Sequence, residues 1–143
     1  MAPPAQDGFR VLEHPSDTGL EVVASSWEGL LRTAANGLMH VIAGGSEIRP
    51  TESRRIVVVA PDREMLLVRW LSELLYLYDA EHFLAGSVRF ERADEHEVVA
   101  EVAGERIDPA RHALSLDVKA VTYHGLAVES GGGGWRARVF LDI

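Results

Sequence analysis

Two carboxylates near opposite ends of the chain have the chemistry to hold a hard cation. Asp17 stands in the segment "HPSDTG", where Pro15 fixes the backbone, Gly19 relieves it, and polar surroundings let a carboxylate point outward without desolvation. Asp142 stands in the closing "RVFLDI", beside Ile143 and its main-chain carboxylate. A side-chain and a main-chain carboxylate on neighbouring residues can grip one cation from a single strand end. If the first and last strands are neighbours, Asp17 adds a third oxygen group. Oxygen donors that cover a cation incompletely suit Ca²⁺, Mg²⁺ or Mn²⁺ and leave waters in place. Each residue also has a plainer reading. Asp17 fits an Asx-type turn cap, and Asp142 fits a solvated strand-end carboxylate paired with Arg136 or Arg138. Nothing in the linear sequence says whether the two ends meet.

Other chemistries find little support. His14, His40, His82, His96, His112 and His124 form no His-x-x-x-His or His-x-Glu pair of the zinc-site type. Ser16 beside Asp17 is no nucleophile elbow, because Gly-x-Ser-x-Gly is absent. "GGGG" (131–134) is a turn and not a phosphate cradle, since no Lys-Ser/Thr pair follows it. There is no cysteine, so neither a disulfide framework nor a thiolate metal site can form.

The formal charge is −8, and the densest basic cluster is "SRR" at 53–55. Stable nucleic-acid binding normally displaces counterions with a basic patch, so direct, tight RNA or DNA binding is not expected. An acidic surface fits a basic protein partner or cations, and the same charge also serves plain solubility. "MAPPAQDG" has neither the basic nor the apolar region of a signal peptide. No apolar run approaches the roughly 20 residues that span a bilayer. The expectation is a cytoplasmic protein with a flexible N-terminus (1–9) and a single domain (10–143), without membrane association.

The elements that would position these residues follow from periodicity. "GLEVVAS" (19–25) reads as a strand. In the next stretch Trp27, Leu30, Leu31, Ala34, Leu38, Val41 and Ile42 share one helical face. Ser25 with Glu28 forms a capping box there, and Gly44-Gly45 supplies the stop. Gly37 inside this helix marks close packing against a sheet. "RRIVVVA" (54–60) is a β-branched strand. Asp62 caps a second helix with an apolar stripe of Leu66, Leu67, Trp70, Leu71, Leu74, Leu75 and Tyr78.

"GSVRFERA" and "EVVAEVAGERI" then make a hairpin about Asp94-Glu95. "ALSLDVKAVTYHGLAVE" is a strand with a break at His124-Gly125. "WRARVFLDI" is the last strand, alternating Trp135, Ala137, Val139 and Leu141 against Arg136, Arg138, Phe140 and Asp142. The fold class expected is α+β: a single two-layer domain with two helices packed on mainly antiparallel sheet.

"EHPSDTGLEV", "WLSELLYLYDAEHFL", "DVKAVTYHGLAVE" and "GWRARVFLDI", taken together and in this order, resemble the archease family. The similarity covers nearly everything after about residue 10, and "KAVTYHGL" with the C-terminal "ARVFLDI" is its most specific part. The resemblance implies an accessory protein of RtcB-type RNA ligases, which join RNA ends in tRNA splicing and RNA repair. It implies promotion of ligase guanylylation from GTP, multiple turnover and broader nucleotide use, with no RNA joining by the archease itself.

The resemblance also implies a divalent cation, Ca²⁺ ahead of Mg²⁺ or Mn²⁺. The metal positions match Asp17, Asp142 and Ile143, the last through main-chain oxygen. Lys119 matches a lysine important to ligase activation, and His14 and His124 are candidates to flank the metal. The family usually reads His-Thr-Ala-Asp-[IV]-Gly, whereas this chain has Pro15, Ser16 and Thr18, so the local backbone differs while His14, Asp17 and Gly19 are kept. His124 also reads as a residue that satisfies nearby backbone, Trp70 as core, and Lys119 as a solvated strand lysine. Two other functions use the same carboxylates: a stand-alone metal-dependent hydrolase, or a chaperone-like binding module in which metal only staples the ends.

Overall fold

The computed structural model describes residues 7–13 and 17–143. His14, Pro15, Ser16 and residues 1–6 lie outside the described residues, and with them the expectations placed on His14. Among the described residues the order is β1 (Gly8–Glu13), β2 (Asp17–Ala24), α1 (Trp27–Ala43), β3 (Glu52–Val59), α2 (Arg63–Glu81), β4 (Phe83–Ala93), β5 (Glu97–Arg106), β6 (Ala120–Gly131) and β7 (Gly134–Asp142). The strands form two sheets, β1-β2-β7-β6 and β3-β5-β4, and every pairing is antiparallel. This is the expected α+β class, with the strands divided between two sheets.

Helix α1 begins where Ser26 accepts a hydrogen bond from the Gly29 amide, and it ends at Gly44 in the left-handed region. The cap is therefore Ser26 rather than Ser25. The Ser25 amide instead donates to Asp7 Oδ1 at 3.0 Å, tying the start of the described chain to the helix entry. Only a residue with extended backbone can aim its hydroxyl at the third amide ahead, and Ser26 (φ −141°) meets that condition. Helix α2 starts at the expected cap, with Asp62 accepting from the Met65 amide. It ends at His82, a non-glycine residue at φ 55°.

Both helices pack against both sheets: α1 on β2 and β4, α2 on β6 and β4. That placement explains why α1 is buried around most of its circumference. Inward-facing Leu20, Val22, Ala137, Val139 and Leu141 from the first sheet, and Ile56, Val98, Ala100 and Val102 from the second, enclose the helices in one core. Trp70 is fully buried, and its indole N–H donates to the Leu31 carbonyl at 2.9 Å, joining α2 to α1. Gly37 meets the sheet closely, as its position in the helix suggested: a Cβ there would lie 3.2 Å from Leu20 Cδ2.

Three differences from the expected elements bear on function. A strand, β1, covers Gly8–Glu13, beginning inside the stretch expected to be a flexible N-terminus. Strand β2 starts at Asp17, so this aspartate belongs to the sheet and not to a loop ahead of it. Residues 113–119 are not strand; Ser115 and Leu116 donate their amides to Ile42 and Val41 at the end of α1. No described helix is long and apolar enough to cross a membrane.

Candidate functional site

The register of the first sheet brings Asp17 and Asp142 together, with the Lys119 backbone beside them. Asp17 is the direct cross-strand partner of Asp142 in the β2–β7 pairing. Ala120 is the partner of Asp142 on the other side, in β6. The Lys119 amide donates to the Asp142 carbonyl at 2.7 Å, so the chain entering β6 is bound to the end of β7. Thr18 and Leu141, the neighbours of the two aspartates, are buried. Side chains alternate along a strand, so Asp17 and Asp142 are placed on the opposite, outer face. Lys119 is exposed, and Ile143 is half-buried against the core.

Asp142 is exposed at the end of β7, as its plainer reading has it, but without an arginine partner among the described residues, and Asp17 opens strand β2. Arg138 pairs with Glu21 at 2.7 Å rather than with Asp142. Glu21 in turn also holds Arg10, and hydrogen bonds from Arg138 and then Arg10 push its carboxyl below the usual range. Among the described residues, no hydrogen bond or ion pair engages the side chains of Asp17, Asp142 or Lys119. Two like charges directly opposite one another on adjacent strands repel, and a cation between them removes that cost. The donor set is hard oxygen, as Ca²⁺, Mg²⁺ and Mn²⁺ require. This donor chemistry is compatible with a divalent ion, which Asp17, Asp142 and the main-chain oxygens of Ile143 would hold. No group of three or more His, Asp or Glu side chains able to hold a metal occurs among the described residues.

His124 sits in the irregular part of β6, between the Thr122 and Ala127 register points, where a break was expected. It is exposed, its amide donates to Thr122 Oγ1 at 3.3 Å, and its ring is 6.4 Å from that of Phe140. That bond satisfies the His124 amide with the Thr122 hydroxyl and does not involve the His124 ring, whose recorded contact is with Phe140 rather than with backbone or a carboxylate. One signal was available in the sequence and unused: Lys119 is the only lysine among 14 Lys and Arg residues. The backbone of the chain's one lysine thus adjoins Asp142, and its ammonium is a point charge on a flexible four-carbon stem.

A second constellation resembles a catalytic dyad and is structural. Glu105 is 6% exposed and accepts from Arg111, from the Arg49 amide at 2.6 Å and from His112 Nε2 at 3.1 Å. His112 Nδ1 accepts from the Asp108 amide at 2.8 Å, which places the ring proton on Nε2. Both ring nitrogens are engaged, leaving none to take a proton from a nucleophile. The Arg111 bond foremost, then the Arg49 amide, hold the Glu105 carboxyl at about 2 against the opposing effect of burial. This knot anchors the segment that leads to Lys119.

Comparison with known proteins gives the fold and the site a family. The sequence profile of the Archease protein family matches residues 9–143. The chain belongs to the archease family. "Protein archease" of Methanosarcina mazei is 33% identical over 139 residues, covering 94% of this chain and 95% of that protein. "Protein archease" of Thermococcus kodakarensis is 33% identical over 135 residues, covering 92% and 95%. The solution structure of Methanobacterium thermoautotrophicum protein 1598 superposes with a TM-score of 0.79 at 30% identity, covering 95% of this chain and 99% of that one. The crystal structure of a Thermotoga maritima protein described as "an archease, possible chaperone" shares the fold, with a TM-score of 0.68 at 22% identity over 94% and 96% of the two chains. In this archease Asp17, Thr18 and Gly19 pair across the strands with Asp142, Leu141 and Phe140.

Proposed function

We propose that this archease is an accessory protein that activates an RtcB-type RNA ligase, promoting its guanylylation and multiple turnover through a divalent cation held by Asp17, Asp142 and Ile143. The observation that carries the reading is the cross-strand pairing of Asp17 with Asp142, which makes a pair of opposed, outward carboxylates at one sheet end. A divalent cation bound there would neutralise charge developing on a transferred phosphoryl group, an effect worth several kcal/mol in general. Asp17 and Asp142 orient that charge outward, where a partner protein can complete its coordination. Lys119, tied by its amide to Asp142, offers a mobile positive charge to a phosphate or to a carboxylate of the ligase. On this reading the chain works in the cytoplasm and joins no RNA itself.

The test mixes the purified protein with an RtcB-type ligase, GTP and Mn²⁺, and follows ligase guanylylation and product per ligase. Many turnovers are expected with the wild type and about one with Asp17→Ala. A ligase whose turnover number is the same with and without the protein would contradict the proposal.

A second reading is favoured by the description of the Thermotoga maritima relative as a possible chaperone. In it, metal only staples the strand ends and the partner is bound elsewhere. Asp17→Ala would then lower thermal stability in the presence of metal and leave ligase turnover nearly intact.

A further inference from the structure

The outer face of the first sheet carries an aromatic ring immediately behind the opposed aspartates, and the strands on both sides make room for it. Phe140 precedes Asp142 by two residues on β7, so the two share the outer face. Its cross-strand partner in β2 is Gly19, two residues after Asp17. A Cβ added to Gly19 would lie 2.9 Å from Phe140 Cε1. On the other flank, a Cβ added to Gly125 of β6 would lie 2.8 Å from Cε2 and 3.0 Å from Cδ2. Opposite edges of the ring therefore face glycines on opposite strands, and the ring lies across β2, β7 and β6 with no space for a side chain on either side.

The irregularity in β6 belongs to the same arrangement. Pairing with β7 runs regularly from Ala120 to Thr122, which faces Phe140, and resumes only at Ala127, which faces Arg138. Four β6 residues, 123–126, thus occupy the space opposite one β7 residue, Val139. The extra residues bow outward as a bulge does, and Gly125, at φ 67°, returns the backbone to the ring edge. The His124 ring packs near Phe140 at 59° to it.

We infer that Gly19, Phe140 and Gly125 form a clamp across three strands, and that Phe140 is a positioning residue for Asp17, Asp142 and Lys119. Asp142 is the last residue of its strand, so nothing beyond it in β7 holds the ends of β2 and β6 at a fixed distance. The ring does so from one pleat behind, about 7 Å along the strand. Spacing matters because ligand distances to a divalent ion are narrow, and groups that orient metal ligands typically affect affinity 10- to 100-fold. The affinity part of this inference rests on the proposed carboxylate site; the clamp itself does not, and the two are measured separately.

The experiment compares wild type, Phe140→Ala and Phe140→Tyr, reading amide hydrogen exchange in chelator and Mn²⁺ affinity by titration. Phe140→Ala should speed exchange of the Lys119 amide about ten-fold while leaving buried helix amides such as Leu71 at wild-type rates. It should weaken Mn²⁺ binding about ten-fold, and Phe140→Tyr, which keeps the ring, should restore both. Unchanged Lys119 exchange in Phe140→Ala overturns the clamp. Equal acceleration at Leu71 also overturns it, since the ring would then be general packing. A wild type that binds no Mn²⁺ overturns the carboxylate site and the affinity effect, while local exchange still decides the clamp. Should Phe140→Ala not fold, Phe140→Leu is read by the same criteria.

Discussion

Asp17 and Asp142 face each other across β2 and β7 at the end of the first sheet. Their side chains have no described hydrogen-bond or ion-pair partner, although Arg138 is close by in the same strand and is committed to Glu21. Like charges directly opposite one another on adjacent strands are mutually unfavourable in general, and positive charge supplied between them would relieve that.

Neutralising one aspartate should therefore have opposite effects with and without metal. In chelator, Asp17→Asn is expected to raise stability by roughly 0.2–1 kcal/mol, the usual size of a cross-strand charge effect. With Mn²⁺ at one hundred times its dissociation constant, the wild type should gain about 2.7 kcal/mol, and the variant much less. Scanning calorimetry in both conditions checks this. A variant destabilised in chelator and equally stabilised by Mn²⁺ would remove the repulsion argument.

Lys119 should separate metal binding from ligase activation. Lys119→Ala removes a positive charge near the carboxylates, so Mn²⁺ affinity should stay equal or tighten. Ligase turnover should fall about ten-fold, the effect of losing roughly 1.4 kcal/mol of interaction. Because the chain has no other lysine, acetylating the folded protein, mapping the product to separate Lys119 from the N-terminal amine, and repeating both assays tests the same charge without mutation. Parallel loss of metal and activity would show that the lysine instead supports the fold of the site.

The Glu105 knot predicts a specific acid sensitivity. Its folded carboxyl titrates at about 2, below the ordinary 4.5, so its contribution to stability is complete above the ordinary value and is lost as pH falls from about 4.5 towards about 2. Asp94, held at about 2 by the His96 amide, Arg92 and the Glu97 amide, loses its contribution between about 3.8 and about 2. Glu105→Gln should lower stability at neutral pH and flatten the acid limb of the curve. Urea melts from pH 7 to pH 2 give the comparison; an unchanged acid limb would show that the knot does not couple to folding.

The junction of the helices should be sensitive to truncation. Trp70 is fully buried and hydrogen-bonded to the Leu31 carbonyl, so Trp70→Ala is expected to cost about 3–5 kcal/mol. Leu74→Ala, in the same stripe, should cost about 2–5 kcal/mol. Denaturant melts with constant m-value would measure both. A loss below about 1 kcal/mol at Trp70 would place that side chain outside the core.

Much of the fold could be read along the chain because it is written in local periodicity. The apolar stripe of α2, its Asp62 cap and the alternation of β7 each depend on residues a few positions apart. Distinctions of one or two residues depended on where the helical backbone begins: Ser25 and Ser26 are chemically equal, and Ser26 is the cap because the helix starts at Trp27. Strand β1 is a short edge strand whose inward Phe9 and Val11 acquire meaning only when they pack on the core. Residues 113–119 look like strand by composition, yet Ser115 and Leu116 spend their amides on the end of α1, while Lys119 donates to Asp142.

For function, the sequence by itself supplied the inventory: two carboxylates beside chain-end motifs, one lysine, no thiol, and no basic patch. Tertiary structure alone decided that these groups meet, that Arg138 turns to Glu21, and that two distant glycines admit the ring of Phe140. The reason is physical. Periodicity reports which face a residue takes, but the partner across a strand depends on the register of segments far apart in sequence, and packing of the whole core sets that register.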